Sequence, residues 1–139
     1  TNIYLLAWRF LDLSRHNYPF YLTRDDVAAL TWLESNAHSD DVVLSSLTIG
    51  QYVPAWTGAN AFLGHWAETL DFFGKSKAVA LYYAAGTPEA DRLILLRQYG
   101  VDFVFSGEPE REFGSYDPAS SSALQLVYQN SSVRIFSVQ

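Results

Sequence analysis

Asp41, Val42, Val43, Leu44, Ser45, Ser46 is the stretch on which the fold turns: a short unbroken apolar run that stops on two hydroxyls. A half-buried strand alternates apolar and polar residues, whereas a run without alternation suits a strand covered on both faces, as in a parallel sheet. Residues 61–64 (Ala, Phe, Leu, Gly) and 101–105 (Val, Asp, Phe, Val, Phe) are two further short strands of this kind. The segments between them read as helices. Thr23, Arg24, Asp25, Asp26 has the form of a helix start, with the Thr23 hydroxyl placed to accept the amide of Asp26 and acids at the positive end of the dipole. Val27, Leu30, Leu33 and Ala37 then recur at helical spacing, and the helix is expected to end near Asn36.

After the first strand, Ile49, Tyr52, Val53 and Trp56 have helical spacing over residues 48–56, with Pro54 limiting the helix to a short or distorted one. Residues 69–85 predict a longer helix, interrupted by Gly74 and closed by Gly86 in a left-handed cap. Thr87 and Pro88 open another, with Pro88 at its first position and Gly100 at its end. Glu108, Pro109, Glu110, Arg111 and Glu112 read as a solvated charged loop. Residues 124–128 and 133–138, joined through Asn130 and Ser131, form a terminal antiparallel hairpin. The fold class that follows is α/β: a small Rossmann-like sheet of three parallel strands, extended by a C-terminal antiparallel hairpin, with helices packed on the sheet.

The 139 residues suffice for one domain with one core, and 49% hydrophobic content is enough to fill it, which rules out disorder. Nine basic side chains stand against fifteen acidic ones, for a net charge of -6 with no basic cluster on one face, so no nucleic-acid partner is expected. Without Cys there is no disulfide framework, thiol nucleophile or thiolate zinc site. The lipid-like stretch, residues 3–13, is interrupted by Arg9 and falls short of the about 20 apolar residues that span a bilayer. It reads either as an element packed on the domain or as the flank of a membrane segment lying upstream. The absence of Met, at Thr1 as elsewhere, leads to the expectation of a chain processed or cut from a longer protein.

In an open parallel sheet, ligands sit beyond the carboxyl ends of the strands. Here those ends carry Ser45, Ser46, Gly64, His65, Trp66, Ser106 and Gly107, and the first crossover adds Thr48, Gly50 and Tyr52. His65, Trp66, Glu68 and Thr69 concentrate an imidazole, an indole, a carboxylate and a hydroxyl in five residues. His65 and Glu68, three apart, meet on one face if the segment is helical, as an acid/base pair or two metal ligands, but spacing marks no third ligand and no metal site is assigned. The structural alternative has Glu68 or Thr69 capping the next helix and Trp66 packing over the sheet edge. Ser45 and Ser46 occupy the strand-to-helix turn of a hydrolase nucleophile but lack its glycines, and Gly50 stands alone where a dinucleotide or phosphate loop needs several. No catalytic residue and no cofactor is therefore assigned. Trp66 and Tyr52 are candidates for stacking on sugar rings. Asn130, Ser131, Ser132 fits the N-glycosylation pattern, which in a hairpin turn carries no weight.

The order of certain pieces resembles a family: the soluble C-terminal domain of polytopic bacterial membrane proteins related to the C-type glycosyltransferases. The matching residues are Ala29, Leu30, Trp32, Leu33; Asp41, Val42, Val43, Leu44; Gly50, Tyr52, Pro54, Ala55, Gly58; Gly64, His65, Trp66, Glu68, Thr69; Tyr99, Gly100, Val101, Asp102; and Val133, Arg134, Ile135, Phe136. The resemblance implies a membrane-proximal lead-in over residues 1–22 and a single soluble α/β domain over residues 23–139. It implies a location on the extracytoplasmic face of the cell membrane, with the chain's own upstream transmembrane domain as partner and a glycan or lipid-phosphate sugar as ligand. In such enzymes the catalytic acids lie in loops between membrane spans, so this domain is expected to be non-catalytic, assisting acceptor or lipid-linked sugar binding or bracing the membrane part. The contacts expected are Ser45, Ser46, Gly50, Tyr52, His65, Trp66, Glu68 and Thr69. A free-standing small α/β enzyme or ligand-binding module using the corner around His65 is the competing expectation.

Overall fold

At Thr23 the hydroxyl accepts the Asp26 amide at 3.1 Å while the Asp26 carboxylate accepts the Thr23 amide at 2.9 Å, closing the capping box that starts helix α2 (Arg24–Asn36). A computed structural model describes residues 2–15, 18 and 20–139. Ahead of α2 lies α1 (Asn2–Ser14), which is helical and has no buried residue, so it does not pack on the domain in the way one of the two readings expected.

Strand β1 (Val42–Leu44) leads into two short helices, α3 (Leu47–Gly50) and α4 (Val53–Thr57), where a single helix was expected. Pro54 lies in the first turn of α4, the part of a helix that does not need its missing N–H. Strand β2 is Asn60–Ala61, earlier and shorter than the apolar run 61–64. Its register is set by pairing, Val42 with Asn60 and Val43 with Ala61, whereas Phe62 and Leu63 are apolar because they are buried just beyond the strand.

Helix α5 (Phe72–Tyr83) carries Gly74 inside it and leaves through Ala84 in an extended conformation, without the left-handed Gly86 cap. Helix α6 (Glu89–Gln98) has Pro88 as its N-cap, one position earlier than expected, and Gly100, with φ 58°, turns the chain toward β3 (Phe103–Ser106). The expected charged loop is a one-turn helix, α7 (Glu108–Arg111), with Pro109 and Glu110 buried. A 3-10 turn (Pro118–Ser120) precedes β4 (Leu124–Gln129) and β5 (Arg134–Val138).

The sheet order is β2-β1-β3-β5-β4, with β2, β1 and β3 parallel and β5 and β4 antiparallel. Consecutive strand residues face opposite ways. Val43, Phe105 and Ile135 join Ala29, Leu30 and Leu33 of α2 on one face, while Leu44, Val104 and Phe136 join Val79, Tyr82 and Leu96 on the other. Three layers result, and the strands inherit the unalternating sequence of a sheet buried on both sides. Among the described residues no helix is long and apolar enough to cross a membrane.

Candidate functional site

In the order β2-β1-β3 the chain runs outward from β1 to β2 and then crosses back to β3 on the other side of β1, so the crevice of a doubly wound sheet should open between the ends of β1 and β3. Here the chain fills it. The Ser46 amide donates to Glu110 Oε1 at 2.8 Å and the Gly107 amide to Glu110 Oε2 at 2.9 Å, so one buried carboxylate takes the place that an anionic ligand group would have on these amides. Below it the Tyr83 hydroxyl donates to the Phe105 carbonyl at 2.6 Å and lies 3.3 Å from that of Leu44, bridging the two strand ends. Burial pushes the Glu110 carboxyl up from its ordinary value, and the Ser46 hydroxyl with the Ser46 and Gly107 amides pulls it partly back. Burial also drives the Tyr83 phenol far up, with Glu110 adding to the effect. Glu110 escaped the sequence reading because its neighbours are charged; the one available cue was Pro109 between two acids, a helix start.

With the centre closed, open space is left on its flanks. Ser45 and Ser46 are buried and turned to the chain itself: the Ser45 hydroxyl donates to the Ser46 carbonyl, and the Ser46 hydroxyl accepts the Ile49 amide to cap α3. Gly50 is buried where a Cβ would stand 1.8 Å from the Leu63 carbonyl oxygen, so it serves a close approach of two backbones. Tyr52 is half-buried against the α2 core, and burial raises its phenol.

His65, Trp66, Glu68 and Thr69 come together on one turn, in which the Glu68 and Thr69 amides both donate to the His65 carbonyl. The turn does not continue as a helix. Thr69 does not cap α5; its hydroxyl accepts the Gly64 amide at 3.1 Å. Nor does Trp66 pack over the sheet edge, for it is 69% exposed, its ring 5.8 Å from that of His65. Two clefts adjoin at His65. One, of about 330 Å³, is bounded by Asn60, His65, Glu68, Thr69, Leu70 and Lys75, and the other, of about 260 Å³, by Tyr18, Leu47, Thr48, Gln51, His65 and Trp66. Lys75, whose ammonium lies 5.2 Å from the centre of the Phe62 ring, is a member of the corner that sequence spacing did not reveal. Among the described residues no three His, Cys, Asp or Glu side chains are grouped as metal ligands. The corner offers an exposed indole beside a polar cleft, which suits a polyhydroxylated ligand with one apolar face.

Asn130 of the N-glycosylation pattern serves the hairpin: its Oδ1 accepts the Ser132 and Val133 amides and its Nδ2 donates to the Asp25 carbonyl. No protein-family model matches the sequence, and no curated protein matches it. Among solved structures the chain is similar to the C-terminal globular domain of an oligosaccharyltransferase from Archaeoglobus fulgidus, at 17% identity and a TM-score of 0.61, over 85% of this chain and 99% of that one. At that identity the two share a fold, an open mixed α/β sheet, and the likeness extends over nearly the whole of the archaeal domain.

Proposed function

We propose that this chain is a non-catalytic extracytoplasmic domain of a membrane glycosyltransferase-like protein, and that the turn 65–69 contacts the acceptor or the sugar of a lipid-linked donor. The observation that carries the reading is the exposed Trp66 beside His65 at the junction of two clefts, at the strand ends where ligands of such sheets bind. Two facts support it. The fold is that of a globular domain taken from an oligosaccharyltransferase, and α1 exposes Ile3, Leu5, Leu6, Trp8, Phe10 and Leu11 by more than half, as a helix lying in a membrane interface does.

Titration of the labelled protein with oligosaccharide and with a short-chain lipid-phosphate sugar, followed by NMR, tests it. Saturable shifts at residues 48–52 and 64–69 that disappear in Trp66→Ala are the expected result; no shift there leaves a bracing role and removes the ligand. The competing reading, a free-standing enzyme, rests on His65 and Glu68 lining one cleft as an acid/base pair, and requires turnover that depends on His65.

A further inference from the structure

Outside α1, the three most exposed large apolar side chains lie in the short segment 66–73: Trp66 at 69%, Leu70 at 86% and Phe73 at 86%. They surround Asp71, the one non-glycine among the described residues with a positive φ, at φ 53° and ψ 49°. Asp tolerates this left-handed backbone better than most residues with a Cβ, but still at a cost. Phe72 packs against the core that carries Phe62, Val79 and Tyr82, while Phe73, its ring edge-on and 5.5 Å away, turns out. Gly74 leaves room for the Asp71 carboxylate, which a Cβ there would meet. The chain therefore reverses at Asp71 with an apolar side chain in solvent on either side of it.

Helix α1 leaves from the same end of the molecule. Tyr18, four residues beyond the end of α1 at Ser14, bounds the cleft that Trp66 bounds, and its hydroxyl ties it to α2 by donating to Asp26 Oδ2 at 2.6 Å. Four residues of chain reach about 14 Å at most, so α1 ends close to this cleft. His65 joins it to the cleft that Leu70 lines.

We propose that Leu70 and Phe73 form a wedge that enters the interface of a lipid bilayer, so that the molecule meets the membrane at two places, α1 and the turn before α5, with the clefts at His65 opening at the membrane surface. This rests on the reading of the chain as a domain held at a membrane, and not on what the clefts bind. Two features favour lipid over a folded partner. The pair projects from the surface, and a projection enters a fluid layer without the complementary packing that a protein interface needs. The charges around it, Glu68 and Asp71 against Lys75 and Lys77, cancel in a chain of net charge -6, so apolar insertion drives the contact and anionic headgroups add nothing to it. Trp66 beside the wedge has the amphipathic ring that settles at headgroup depth.

Because the chain has no Cys, single cysteines carry an environment-sensitive nitrobenzoxadiazole label without competing sites. The full chain is labelled in turn at Leu70→Cys, Phe73→Cys, Leu6→Cys in α1 and Glu34→Cys on the exposed side of α2, then mixed with phosphatidylcholine vesicles. Blue-shifted emission, quenched by nitroxide-labelled acyl chains, is expected at positions 70, 73 and 6 and not at 34. Leu70→Ser with Phe73→Ser should weaken co-sedimentation with the vesicles at least about tenfold at unchanged melting temperature, since the folded protein already leaves both side chains in solvent. Insertion at position 6 without a blue shift at 70 and 73, a double variant that binds as the parent does, or binding that requires phosphatidylglycerol overturns the wedge and leaves the membrane reading intact. No insertion at any position overturns both. The oligosaccharide titration is read without vesicles, so its outcome is separate.

Discussion

The carboxylate of Glu110 receives two backbone amides, from Ser46 and Gly107, 64 and three residues away in sequence. Because burial raises its pKa, the folded protein holds this proton to higher pH than the unfolded chain does, whose carboxyl titrates near about 4.3. The stability it contributes is therefore complete below the unfolded value and is lost as pH rises through the raised folded one. Gln, neutral at every pH, keeps one carbonyl oxygen but turns an amide N–H toward the second donor. We expect Glu110→Gln to cost about 1–3 kcal/mol in urea unfolding at acidic pH, and the deficit to narrow as pH rises through the Glu110 titration. A deficit that widens with pH would refute the assignment. Ser46, singled out in the sequence for its place at a strand end, does serve that place, but as partner to this carboxylate. Nothing local to Ser45 and Ser46 announces that α7 returns to cover them, because a contact across 64 residues leaves no spacing to read.

The elements that were legible are those whose causes are local. The box at Thr23 and Asp26 is closed within four residues, and its helix runs to Asn36 as the apolar spacing indicated. The unalternating run 42–44 is a central strand because helices cover both faces. Where tertiary pairing decides, the pattern misled: hydrophobicity at residues 61–64 reports burial of Phe62 and Leu63, not the two-residue ladder that ends at Ala61. Residues 108–112 look solvated because three of the five are acidic, yet one of those acids, Glu110, is buried. At this scale Gly50 offers a test. A Cβ there would meet the Leu63 carbonyl oxygen, so Gly50→Ala must push α3 from the chain leaving β2, at a cost of about 1–3 kcal/mol in thermal or urea unfolding. A variant as stable as the parent would mean that the two backbones are farther apart.

For the whole molecule, the open α/β sheet with its C-terminal hairpin follows from the sequence, and a domain of an oligosaccharyltransferase shares that fold. Helix α1 stands apart from that core. Its apolar residues bury nothing, so replacing them should leave folding stability unchanged within about 0.5 kcal/mol. If α1 lies in a membrane interface, Leu6→Ser with Phe10→Ser will weaken co-sedimentation with phosphatidylcholine vesicles by about tenfold or more at unchanged melting temperature. A lower melting temperature instead would show that α1 packs on the domain. The central claim, that these residues bind or brace and do not catalyse, is tested most directly by assaying the purified chain for transfer or hydrolysis of lipid-phosphate sugars and simple esters. The account predicts no turnover above the uncatalysed rate, with the same result in His65→Ala; robust turnover that His65→Ala abolishes would contradict it.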